Sequence, residues 1–228
     1  MECYYEHGCN KKDCDKSFCL RKYKLDALYN EALMTTAQKR RLILKIDADG
    51  TDLEAFKRLA NIDKNIMDFV TDKQSLYIHS SNCGCGKTSW AIRMLQSYLN
   101  LIWSETELCC RVLFISVPRF LLASKDKISN KNAYYDHIKE NYLKADLVVW
   151  DDIATSTATD YEMSQLLSMI DARLIADKSN IFTSNLSPAQ MTKALGERLT
   201  SRVCTKSVDI ELFGSDKRNL YQEERRKW

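Results

Sequence analysis

The run Ser80-Ser81-Asn82-Cys83-Gly84-Cys85-Gly86-Lys87-Thr88 constrains this chain more than any other stretch. A short apolar segment, Ser75–Ser80 (SLYIHS), leads into it. Behind it, Thr88–Trp103 repeats Ala91, Leu95, Tyr98 and Ile102 at helical spacing. A glycine-rich turn between a strand and a helix, closed by Lys-Thr, is the layout of a phosphate-binding loop. Backbone N–H groups in such a loop converge with the helix N-terminus on an anion. Lys87 is expected to add a full charge at the β/γ oxygens, and the Thr88 hydroxyl to ligate Mg²⁺. Gly84 and Gly86 let the backbone come close to the ligand. Cys83 and Cys85 fill positions that act through their backbone, and Asn82 and Ser89 extend the nucleotide-binding set on either side. Ser81 stands where the G-x-x-x-x-G-K-[ST] pattern has its first glycine. A Gly-Lys tripeptide closed by Ser or Thr alone arises by chance in about one chain in ten of this length. Its setting therefore carries the assignment.

That setting includes a second apolar run, Leu147–Asp152 (LVVWDD), which ends in two carboxylates. On a parallel strand both arrive at the carboxyl edge of the sheet, beside the loop. Asp151 is expected to hold Mg²⁺ through its water shell, and Asp152 to polarise an attacking water. Arg111–Val117 reads as a further strand stopped by Pro118, Asn180–Ser184 as a fourth and Val208–Phe213 as a fifth. Between them lie helical patterns. Thr159–Glu162 is a capping box opening a helix through Leu174, and Ser187-Pro188-Ala189-Gln190 caps another. Strands alternating with helices imply an α/β fold, a parallel sheet covered on both faces. Asn185, at the end of the fourth strand, is placed to orient water or touch the γ-phosphate. Arg198 and Arg202 are four apart and can share a helix face, and Arg218 follows the fifth strand. By residue type alone, each arginine is equally well a surface ion pair.

Upstream of residue 75 the pattern is helical. Leu25, Leu28, Tyr29 and Ala32 mark one face of a helix from Leu20 to about Met34. Asp47-Ala48-Asp49-Gly50 is a turn and the expected domain boundary, dividing residues 1–50 from 51–228. Thr51–Glu54 reads as a capping box opening a helix that carries Leu53, Phe56, Leu59, Ala60, Met67 and Val70.

At 228 residues the chain has room for one α/β domain and a small appendage. No window is apolar for the length of a membrane span, so no membrane partner is expected. The first residues lack the layout of a secretory signal, which points to a cytoplasmic protein. A net charge of +3 does not by itself indicate nucleic-acid binding.

The nine cysteines are odd in number and unevenly spread, which argues against a disulfide framework. Cys3, His7, Cys9, Cys14 and Cys19 crowd the start and supply five candidate ligands for one tetrahedral zinc. Cys3, Cys9, Cys14 and Cys19 are the preferred set, with His7 as the alternative to Cys3. A segment this short cannot bury a core, so a Zn²⁺ staple is a physical means of ordering it.

Loop, acidic strand, polar fourth strand and the GERLTSRV segment, in this order, resemble an AAA+ P-loop ATPase. More narrowly, residues 51 to 220 resemble the helicase loaders of the DnaC/DnaI type, which share their ATPase core with the IstB transposition helpers. The resemblance implies a three-layer core with a five-stranded parallel sheet that binds ATP/ADP and Mg²⁺. It makes Lys87 and Thr88 the Walker A residues, Asp151 and Asp152 Walker B, and Asn185 sensor 1. Arg202 matches the arginine finger and Arg218 the sensor 2 position. It further implies a homo-oligomer acting with a DnaB-type replicative hexameric helicase and single-stranded DNA, with residues 1–50 gripping the helicase. Arg119 and Phe120 are a candidate DNA contact, with core packing the competing role for Phe120. Asp152 departs from the usual glutamate. An IstB-like transposition ATPase and a nucleotide-gated, DNA-binding adaptor that barely hydrolyses ATP remain as alternatives.

Overall fold

The computed structural model of the chain describes residues 19–40, 42, 44–47, 50–126, 131–153 and 159–217. Cys3, His7, Cys9, Cys14 and Arg218 lie outside them. Five parallel strands form one sheet in the order β2-β3-β4-β1-β5: β1 Ser75–His79, β2 Val112–Ser116, β3 Leu147–Asp151, β4 Ser179–Ser184 and β5 Ser207–Glu211. The expected α/β class and five-stranded parallel sheet are thus present. β1, β3 and β4 are buried along their whole length; the largely apolar runs of β1 and β3 suit that, while β4 also buries Ser179, Asn180, Thr183 and Ser184.

Alternation along each strand divides the core in two. Leu76, Ile78, Phe114, Val149 and Ile181 enter one apolar cluster with helix α5 (Lys87–Ile102). Tyr77, Ile115, Trp150 and Phe182 enter the other, with α6 (Val117–Asp126), α8 (Asp160–Ile175) and α10 (Glu197–Cys204). Helix α1 (Leu20–Glu31) buries Leu25, Leu28 and Tyr29 in the first cluster, so it docks on the same core as the sheet.

The capping boxes at Thr159 and Ser187 both form, the latter opening α9 (Pro188–Leu195). The one expected at Thr51 does not. Helix α3 (Leu53–Lys64) begins one residue later with Asp52 as its N-cap, and that carboxylate caps nothing. It accepts instead from the amides of Phe213 and Gly214, at 2.7 and 2.8 Å. The helix expected to run on to Val70 breaks at Asn65, and a separate α4 spans Ile66–Thr71. A capped turn, α2 (Thr36–Lys39), and helix α7 (Ala133–Asn141) were not evident in the sequence. β5 ends at Glu211, two residues short of Phe213, whose side chain is exposed.

At the amino edge of the sheet a fully buried Arg173 binds the chain together. Its guanidinium donates to Asn180 Oδ1 (2.7 Å) and to the carbonyls of Ala145 (2.9 Å), Ser179 (2.6 Å) and Tyr142. Burial pushes its pKa down to about 9, so it stays protonated at neutral pH.

Candidate nucleotide-binding site

The glycine-rich loop leaves the carboxyl end of β1 and enters α5, whose N-cap is Gly86 at φ 109°. Gly84 also has positive φ, at 76°. These are backbone conformations that L side chains avoid, and both positions are glycine. Ser81 is not among the positive-φ residues, so its departure from the glycine pattern carries no backbone strain. Cys85 is buried inside the loop and its thiol donates to Asn82 O at 3.4 Å. Lys87 is buried too. Its ammonium donates to the carbonyls of Asn82 (2.9 Å) and Ser80 (3.4 Å), so it is held within the loop.

Insertion of β4 between β3 and β1 brings three elements to one point. The Thr88 hydroxyl, in the first turn of α5, donates to Asp151 Oδ1 at 2.8 Å. Thr183, on β4, donates to the same oxygen at 2.7 Å. Thr183 Oγ1 also accepts from the amide of Asp152 at 3.0 Å. Burial raises the Asp151 pKa above the ordinary carboxylate value, against the lowering effect of the two hydroxyls. Asp152 lies just past the strand at φ 55°, a conformation uncommon for a residue with a side chain.

Cys83, Gly84, Gly86, Lys87, Thr88, Ser89, Asp152 and Asn185 line one cleft of about 190 Å³. The structure therefore gathers the loop, the second carboxylate and the fourth-strand amide that the sequence set apart. A larger hollow, about 620 Å³, lies between α3 and α5 and is lined by Phe56, Trp90 and Leu101 among others. It has no anion-binding loop, so chemistry favours the smaller cleft. A cation would fit at the Thr88–Asp151 pair, where hydroxyl and carboxylate oxygens already converge, a hard-oxygen donor set of the kind Mg²⁺ takes.

Other candidates stand apart. Arg202, on α10, is half-exposed and donates to Asp171 of α8 in the same chain. Arg119 lies over the ring of Tyr134 at 4.0 Å, and Phe120 is fully buried and stacked on Tyr135. Phe120 is therefore a core residue. Cys19 sits at the N-cap of α1, and the remaining proposed zinc ligands lie outside the described residues. Thr183 escaped sequence reading because only the pairing of Trp150 with Phe182 brings position 183 beside Asp151.

Residues 55–208 match the sequence profile described as the bacterial DnaA ATPase domain. Over 92 residues, 40% of the chain, the sequence is 29% identical to the replicative helicase loader DnaC of Escherichia coli K12. The match spans 38% of that relative's length. Among solved structures, the DnaC helicase loader aligns with TM-score 0.57 at 18% identity, over 71% of this chain and 90% of that one. A primosome component from Streptococcus pyogenes serotype M3 aligns with TM-score 0.59 at 19% identity, over 84% of this chain and 98% of that one. At these identities the structural likeness speaks to the fold. Among the described residues no helix is long and apolar enough to cross a membrane.

Proposed function

The chain belongs to the bacterial DnaA ATPase-domain family, and on that premise we propose that it is an ATP-dependent loader of a replicative hexameric DNA helicase onto single-stranded DNA. The observation that carries the ATP-dependent part is the meeting of Thr88 and Asp151 across the mouth of the loop, with Lys87, Asp152 and Asn185 around the same space. Similarity in sequence and in fold to helicase loaders supports the choice of partner.

In this reading the loop amides and Lys87 bind the polyphosphate, and Lys87 exchanges its loop carbonyls for phosphate oxygens. Thr88 and Asp151 hold Mg²⁺, which supplies charge neutralisation at the β/γ oxygens. Asp152 accepts a proton from the attacking water, and Asn185 orients that water at the cleft's edge. Arg202 reaches the γ-phosphate of a neighbouring copy, after leaving Asp171. Arg218 approaches the same phosphate within its own chain. The N-terminal segment, ordered by Zn²⁺ on Cys9, Cys14, Cys19 and either Cys3 or His7, grips the helicase. A cytoplasmic protein that hydrolyses ATP slowly, faster with its partner or DNA, fits this role.

The test is co-elution of the purified chain, ATP and its host's replicative helicase on size exclusion. A complex that is lost on deleting residues 1–50 supports the loader and its grip. No complex in any nucleotide state shifts the reading to a transposition helper or an adaptor.

A further inference from the structure

We propose that Asp216 is a charge-discriminating residue of the nucleotide site, weakening the hold on each added phosphate. This rests on the nucleotide-binding reading above. The segment after β5 lies as a strap against the phosphate loop. Asn82 Nδ2 donates to the carbonyls of Phe213 (2.8 Å) and Gly214 (3.3 Å), and the amide of Lys217 donates to Gly84 O at 3.1 Å. Between these ties the Asp216 carboxylate lies directly over Gly84. A methyl group added to Gly84 would come within 1.9 Å of Asp216 Oδ1. Gly84 also lines the cleft, so a single backbone unit separates this carboxylate from the space meant for a polyanion.

The strap has little freedom to carry its charge away. Asp52 holds the amides of Phe213 and Gly214, and Asp47 accepts from the Ser215 amide at 2.9 Å. Lys217 Nζ donates to Lys45 O at 2.8 Å. Gly214 is boxed in on the same side, where an added methyl would meet Asp52 Oδ2 at 2.4 Å and Asp47 Oδ2 at 2.5 Å. Among the described residues, the strap is flanked by the carboxylates of Asp47, Asp52 and Asp216 and by the Lys217 ammonium, which lies 3.9 Å from Asp47 Oδ2. The Asp216 carboxylate sets one negative charge beside a loop whose ligand carries several, and the repulsion between them grows with ligand charge. Asp216 is exposed, so water and salt screen it and the effect is a modest factor.

The experiment is displacement of a fluorescent ADP analogue from the full chain by ATP, ADP and AMP, in the parent and in Asp216→Asn. At about 50 mM salt the variant is expected to bind ATP about threefold more tightly, ADP less so and AMP unchanged. The gain fades at about 0.5 M salt, where charges are screened within a few ångströms. A merely structural role would shift all three ligands and the melting temperature together, without salt dependence. Equal ATP affinity in parent and variant, or an equal gain for AMP, overturns the proposal. A parent chain that binds the analogue but shows that result leaves the nucleotide reading standing, whereas a parent that binds no nucleotide overturns both.

Discussion

Thr183 and Asp151 are joined by a 2.7 Å hydrogen bond between neighbouring strands, and the same threonine oxygen receives the amide of Asp152. One hydroxyl thus ties the Asp151 carboxylate to the backbone of Asp152, which lines the cleft. Thr183→Val keeps the shape of the side chain and removes both bonds. Hydrolysis is expected to fall about tenfold or more while ATP affinity changes little, because positioning is lost and phosphate contacts are kept. Losing the buried bond to Asp151 and leaving the part-buried Asp152 amide unpaired should lower stability by about 1–3 kcal/mol. Single-turnover hydrolysis alongside nucleotide titration checks this, and an unchanged rate would remove Thr183 from the site.

Asp151 ties pH to stability. Its folded pKa is raised, chiefly by burial, so the folded state holds the proton more firmly than the unfolded chain does. That contribution is fully present below the ordinary aspartate value near about 3.9, and is lost as pH rises through the folded value. At neutral pH the buried charge is therefore a burden on the fold. Asp151→Asn should melt a few degrees higher than the parent at pH 7, with the gap closing toward pH 4. The same variant should lose the extra stabilisation that MgATP gives the parent. Thermal melts across pH, with and without MgATP, test both parts.

Arg173 predicts a large loss. Arg173→Met leaves Asn180 Oδ1 and the carbonyls of Ala145 and Ser179 without their guanidinium donor in the interior. A loss of about 3–5 kcal/mol is expected, since several buried neutral acceptors lose their charged donor at about 1–3 kcal/mol for each one left unsatisfied. For a domain of this size that is roughly a 6–20 °C fall in Tm. A drop under two degrees would show that the network is dispensable.

Arg202 should matter only between copies. Among the described residues it pairs with Asp171 on a half-exposed surface, where such pairs contribute about 0–1 kcal/mol. Arg202→Ala is expected to leave folding and ATP binding intact and to lose the hydrolysis that rises with protein concentration, by about 10³-fold where a finger operates. Equal rates in variant and parent at all concentrations would cancel the assignment.

Zinc makes a separate prediction. Metal analysis of the purified chain should return close to one zinc per molecule, falling in the double variant Cys9→Ser, Cys14→Ser. Less than about half a zinc in the parent would remove the metal from the N-terminal segment.

What the sequence determined by itself was local. Gly84, Gly86, Lys87 and Thr88 reveal the loop because positive φ and a charge beside a helix N-terminus demand those residue types at that spacing. Strands with uninterrupted apolar runs announce a sheet buried on both faces, and the boxes at Thr159 and Ser187 mark helix starts, since each involves residues three apart. Tertiary structure decided what depends on distant partners. Asp52 was free to cap α3, yet Phe213 and Gly214, remote in the chain, take its carboxylate. Thr183 is an ordinary strand residue until strand order sets it beside Asp151, and Asp216 is an ordinary tail residue until the strap lays it on Gly84. Local spacing encodes backbone geometry and helix capping. Which strands become neighbours, and which carboxylate meets which amide, is settled only when the whole core closes around them.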